Sequence, residues 1–238
     1  MKSSADLPSV FDLAQPSNIR SIDVTQRRYL PAQHNWHPEA PLKHAVIFAH
    51  PRDHSFTGSI AESYARAAGG LGHSVLTRDL YRMKFNPCLG ARELPFAEDF
   101  QPGEDVQAER RLLADADVFV LIYPFWLNSP PAMLKGYLER VFGFGFAYGK
   151  SGRSEPLLHG RSLITFSASG APLHWVQETG ALETTGKLFD KYFADVCGLT
   201  FLEHVHFGGI VPGIREDVVA NRLAQVESTV KKHFGRTK

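Results

Sequence analysis

The chain has 238 residues, 43% of them hydrophobic, and 26 Lys and Arg stand against 25 Asp and Glu. That length fits one large α/β domain, or one domain with an arm, and the apolar content can fill a sizeable core. A net charge of +1 with no Lys/Arg block gives no electrostatic basis for binding nucleic acid or an anionic membrane surface.

The two cysteines, Cys88 and Cys197, are far apart and neither sits in a C-x-x-C pair. So few thiols fit a reducing cytoplasm and offer no zinc site of their own. The opening stretch lacks a signal-peptide h-region. No run approaches the ~18 apolar residues of a membrane span, so no membrane insertion is expected.

Residues 1–42 are polar, carry Pro8, Pro16, Pro31, Pro38 and Pro41, and show no sustained period. They read as an N-terminal arm, extended or partly disordered, ahead of a domain over 43–238. From Lys43 the pattern changes. Residues 44–49 form a short apolar run, as a strand buried on both faces does. After the turn HPRDHSFT comes a helix over 58–70, ended by Gly69, Gly70 and Gly72. Residues 74–80 read as a second strand. Residues 81–105 form a long, Pro-containing connection of the kind that usually has a role of its own. Residues 106–114 are helical. Residues 117–123 are a third strand, apolar beyond Asp117. A Pro-rich loop (124–131), a helix (132–142), a Gly-rich loop (143–160) and a fourth strand (161–168) follow. A loop over 169–175 leads into a helix over 179–197, stopped by Gly198. Strand five spans 200–207, and a last helix spans 215–234.

Strands alternating with helices predict a parallel sheet covered on both faces. In such sheets ligands bind beyond the carboxyl ends of the strands. Three loops at those ends carry chemistry. The first, His50–Thr57, joins strand one to helix one, so backbone N–H groups and the helix dipole suit a phosphate there. Ser55, Thr57 and His50 add polar side chains. The same residues also read as an ordinary helix cap. The loop is neither a G-x-G-x-x-G fingerprint nor a Walker loop. The second loop holds Pro124, Phe125, Trp126, Leu127 and Asn128, a stiff aromatic wall suited to a flat heterocycle; core aromatics under a loop would look the same. The third, Ser167–Trp175, begins with small residues that allow close backbone approach to a ligand. His204-x-His206 puts two imidazoles on one strand face. With no third ligand evident, a structural pair is expected and no metal is assigned. Glu139-Arg140 reads as a surface pair.

These loops, in this order, resemble the flavodoxin-like NAD(P)H:quinone oxidoreductase family, which also includes ancillary flavoproteins of potassium efflux systems. The resemblance lies in AVIFAHPRDHSFTGSIAESYARAAGGLGHSVLTRDLYRMKFNPCL, in ADVFVLIYPFWLNSPPAMLKGYLERVFGFGFAYG and, more weakly, in SLITFSASGAPLHWV. It implies a flavodoxin-like five-stranded parallel sheet in the order 2-1-3-4-5. It implies a flavin, FAD with FMN as the alternative, and NADPH or NADH as electron donor. It places His50, Ser55, Phe56 and Thr57 at the flavin phosphate, and Pro124, Phe125, Trp126, Leu127 and Asn128 along the ring. Ser167, Ala168, Ser169 and Gly170 fall at its polar edge. Family members are homodimers, which makes Phe146, Tyr148 and Trp175 expected substrate-pocket residues. The family's Tyr/His pair is not kept: Trp175 stands at the Tyr, and His174 is the nearest imidazole. With Tyr148, these are the expected catalytic positions. The implied activity is two-electron hydride transfer from NAD(P)H, by way of the flavin, to a quinone-like acceptor in ping-pong order. Two other functions are alternatives: an ancillary flavoprotein of a membrane transporter, and a flavodoxin-type electron carrier, against which the near-neutral charge and the same motifs argue. A flavin-free α/β module is a third reading.

Overall fold

A computed structural model describes residues 40–95, 97–149 and 155–235. The arm expected over 1–42 lies outside these residues except for Ala40, Pro41 and Leu42.

Five strands form one parallel sheet: β1 (Lys43–Phe48), β2 (Ser74–Asp79), β3 (Val118–Pro124), β4 (Ser162–Ala168) and β5 (Thr200–Phe207), in the order β2-β1-β3-β4-β5. The order reverses between β1 and β3, which opens a crevice at their carboxyl ends. β3 and β4 are buried at every position, which explains why their sequences are apolar or small throughout.

Helices α1 (Phe56–Gly70) and α7 (Glu216–Phe234) lie on one face of the sheet. There Ile60, Tyr64, Val226 and Val230 pack on Val46, Val120, Ile122, Phe166 and Phe207. The other face carries α2 (Glu104–Leu113), α3 (Ala132–Val141), α4 (Leu173–Glu178), α5 (Ala181–Thr185) and α6 (Tyr192–Cys197). Here Leu113, Leu134, Tyr137 and Ala194 pack on Ile47, Phe119, Leu121 and Leu163. Each large side chain so buried contributes about 1.5–3 kcal/mol.

The single helix expected over 179–197 is three pieces. Gly180 takes a left-handed φ of 69°. Between α5 and α6 the chain widens into a π-helical turn, Gly186–Lys191, whose buried residue is Asp190. The turn satisfies a polar need: Asp190 accepts hydrogen bonds from Thr165 on β4 and His204 on β5. A hydrophobic period carries no sign of such a demand.

The connection over 81–105 is pinned to the domain. Arg140 is only 6% exposed. It makes bidentate contacts with Glu93 (2.8 and 2.8 Å) and Asp105 (2.6 and 2.9 Å) and donates to the Asn86 carbonyl at 2.6 Å. The surface pairing expected of Glu139-Arg140 is therefore corrected. Glu139 pairs with Lys135 one turn back on α3, while Arg140 turns under the connection. Gly136 makes this fit possible, because a Cβ there would sit 2.1 Å from the Pro87 carbonyl oxygen.

Candidate active site

The carboxyl ends of β1, β3, β4 and β5 surround a cleft of about 310 Å³. Its first wall is the β1–α1 loop. Ser55 caps α1, its Oγ accepting from Gly58 N–H at 3.1 Å. The first intrahelical bond runs from Ser59 N–H to Ser55 O. The amides of Phe56 and Thr57 precede it and belong to the unfilled donors of a helix N-terminus. No acidic residue lies in the first turn of α1. Asp53 is taken up by Arg82, whereas Arg52, which lines the cleft, makes no ion pair among the described residues. His50 Nδ1 accepts from Arg52 N–H at 3.1 Å, which leaves Nε2 as the protonated nitrogen of the neutral ring. Burial, the largest influence, holds the His50 pKa below its usual value. The wall is thus a set of donors around one cation, suited to an anion.

The second wall follows β3. Trp126 to Ser129 close a tight turn, with Ser129 N–H donating to Trp126 O at 3.0 Å. Leu127 and Asn128 have φ of 50° and 57°, a conformation that costs non-glycine residues energy and concentrates at functional sites. The turn pushes Leu127 fully into solvent and leaves Trp126 46% exposed at the cleft, 5.6 Å from the His50 ring. The third wall is Ala168, Ser169 and Gly170. Ser169 is fixed by its N–H to Phe207 O and by its hydroxyl to Ala171 O, both at 2.9 Å.

The model of the family described as Flavodoxin-like fold matches residues 42–230. The chain belongs to this family. It is 36% identical over 171 residues to a Haemophilus influenzae protein described as an uncharacterized NAD(P)H oxidoreductase, spanning 71% of this chain and 85% of the relative. It is 30% identical over 152 residues to NAD(P)H dehydrogenase (quinone) 1 of Cavia porcellus, spanning 56% of this chain and 55% of that one. Among solved structures, an NAD(P)H:quinone oxidoreductase from Methanothermobacter marburgensis superposes with a TM-score of 0.73 at 24% identity, over 84% of this chain and 100% of that one. That likeness is one of fold.

Within this flavodoxin-like domain the structure gathers His50, Ser55, Phe56, Thr57, Pro124, Trp126, Ala168, Ser169 and Gly170 around the cleft. It separates the others. Phe125 is buried beneath, its ring 5.1 Å from His206. Ser167 is also buried, its hydroxyl between His204 and His206. Leu127 and Asn128 stand at the tip of their turn. His174 and Trp175 lie exposed on α4, Trp175 at 48%. Tyr148 lines a second, mainly apolar cavity of about 560 Å³ with Phe142, Phe189, Tyr192 and Phe193. Phe146 lies beside it, against Phe142 and under the Arg110 guanidinium.

Arg52 and His54 join the cleft although only their loop, not their side chains, pointed to it. Ile210, Val211 and Pro212 were missed outright. The Gly208-Gly209 pair after β5 is their sequence signal. A Cβ on Gly208 would lie 2.3 Å from Leu173 N, so glycine lets this loop fold against α4 and over the cleft.

Proposed function

We propose that this chain is a flavin-dependent NAD(P)H oxidoreductase acting on quinone-like acceptors, with the cleft at the carboxyl end of the sheet as its flavin site. The observation that carries this reading is the meeting in one cleft of an anion-suited helix N-terminus, an exposed Trp and a polar Ser edge. The donor set fits a flavin phosphate: the first amides of α1, Thr57, Ser55 and the Arg52 cation. Trp126, Pro124 and Val211 offer the apolar surface a planar ring requires.

A bound flavin would supply two-electron hydride chemistry between NAD(P)H and the acceptor. The protein's part is to bind, orient and exclude water. Trp126 and the 210–212 loop cover apolar surface. Neutral His50 donates through Nε2. Ser169 is the hydroxyl able to exchange a proton with a bound molecule. FAD is the flavin proposed, with FMN as the alternative. In one solved neighbour, an FMN-dependent NADH-azoreductase from Bacillus anthracis, the flavin is FMN. NADPH or NADH is the donor.

We propose a cytoplasmic location, since two cysteines far apart in the sequence fit a reducing compartment. We also propose a homodimer. Leu188 and Tyr192, 72% and 66% exposed, rim the apolar cavity that Tyr148 lines, so a second copy would cover them and bring Tyr148, Phe146 and Trp175 to its substrate. Residues 1–42 are proposed as an arm outside the domain.

The test is titration of purified protein with FAD and with FMN, followed by NADPH and NADH oxidation with a benzoquinone and no partner protein. Flavin uptake and turnover are expected. A folded protein that takes up neither flavin overturns the reading. Flavin uptake without NAD(P)H oxidation would favour an electron carrier or an ancillary subunit.

A further inference from the structure

Behind the third wall lies a buried polar chain that family resemblance did not anticipate. Asp190, wholly buried on the π-helical turn, accepts from Thr165 Oγ1 at 2.9 Å. Its other oxygen lies 2.7 Å from His204 Nδ1. His204 Nε2 is 2.6 Å from Ser167 Oγ, which is 2.7 Å from His206 Nδ1. His206 Nε2 is 2.9 Å from Ser169 Oγ. Ser169 lines the cleft.

The chain is a product of strand register. Leu163 pairs with Phe201, but Ile164 pairs with Glu203, so Leu202 bulges from β5. From that point His204 lies opposite Thr165 and His206 opposite Ser167, on one face of the sheet. A regular pairing would have turned both histidines to the other face.

An ionised Asp190 and the Ala171 carbonyl, which bound the polar chain, only accept. Every contact between them needs one hydrogen. Neutral His204 and His206 and the two serine hydroxyls bring one each, which leaves one contact unfilled. One added proton fills them all. We propose that Asp190, His204, Ser167, His206 and Ser169 form a one-proton store and relay that supplies the cleft with the proton an acceptor takes up besides hydride.

The proposal rests on the hydride-transfer reading of the cleft. A quinone becomes a hydroquinone by gaining two electrons and two protons. NAD(P)H loses the hydrogen at C4 with both electrons and becomes NAD(P)+, which leaves one proton to be found. As Ser169 turns its hydroxyl hydrogen from the Ala171 carbonyl to the reduced acceptor, the His206 Nε2 proton moves to Ser169. The Ser167 proton then moves to His206 Nδ1, and the His204 Nε2 proton to Ser167. His204 ends neutral, still donating to Asp190, and one proton from solvent restores the store. Asp190 is the carboxylate that the chain ends on, and its contact with His204 Nδ1 places the stored proton at that end; burial, with His204 alongside, pulls the His206 pKa down to about 4. Among the described residues, the other groups facing the chain are the Tyr123 ring, 6.2 Å from His204, the Phe125 ring, and Thr165, and none of these is a cation.

The test uses Asp190→Asn and His206→Gln in flavin-loaded protein, with a benzoquinone and ferricyanide as alternative acceptors. Ferricyanide takes electrons and no proton. In each variant the ratio of benzoquinone to ferricyanide turnover is expected to fall about tenfold or more. A ratio within about twofold of the unsubstituted protein in both variants overturns the relay, because a merely structural defect slows both acceptors alike. A protein that binds no flavin and reduces neither acceptor fails the cleft reading instead. The store is then judged by imidazole 15N spectra of the full chain near neutral pH. One ring protonated on both nitrogens, and lost in Asp190→Asn, is expected. Singly protonated rings at both His204 and His206 overturn it.

Discussion

Thr165 on β4 lies opposite His204 on β5 and not opposite Glu203. Neighbours in a strand point to opposite faces, and the bulge at Leu202 decides which face each of these two takes. Glu203 meets Lys232 and His233 of α7 at 2.7 and 2.8 Å, while His204 meets Asp190. Asp190→Ala would leave Thr165 and His204 buried without their acceptor. We expect a loss of about 2–4 kcal/mol in urea unfolding. Asp190→Asn keeps the shape and an acceptor oxygen, and its loss should be smaller.

Arg140 and Glu93 govern acid sensitivity. The Arg140 hydrogen bonds, the largest influence, pull the Glu93 pKa from 4.5 to about 2. A depressed carboxylate stabilises the fold above its unfolded pKa, and that contribution fades as pH falls from about 4.5 towards 2. Arg140→Leu should remove this part of the acid slope from unfolding curves recorded across the window. It should also cost about 3–5 kcal/mol at neutral pH, because Glu93 is left without its cation.

Trp126→Ala tests the apolar wall of the cleft. Half-exposed Trp126 takes no part in either hydrophobic core, so thermal stability should hardly move. Flavin affinity should weaken by about 1 kcal/mol, roughly fivefold in Kd, as read by absorbance titration. Unchanged affinity for both FAD and FMN would remove the stacking assignment.

Cys88 is exposed and Cys197 buried. Burial pushes the Cys197 thiol up to about 12, so its reactive thiolate is scarce. A thiol reagent should modify Cys88 at once in the native protein and reach Cys197 only on unfolding. Rapid modification of both, followed by mass spectrometry, would contradict the packing of α6.

Much of the fold was legible in the sequence. Strands β3 and β4 are buried on both faces, and the sequence records that condition locally, as an apolar run in β3 and as apolar and small residues in β4. Strand β5 begins and ends where its sequence predicts, at Thr200 and Phe207. The loops around Ser55, Trp126 and Ser169 were readable because each follows a strand end, and in a parallel sheet those ends converge. What only the tertiary structure decided was which polar side chains meet. Arg140 reads as a surface residue until the 86–105 segment folds over it. His204 and His206 read as a bare pair until one extra residue in β5 and a π-turn in the preceding helix bring Asp190 and Ser167 to them. A hydrophobic period records only whether a position faces water or core. The partner of a buried charge is set by register and by contacts distant in sequence, and these exist only once the sheet has formed.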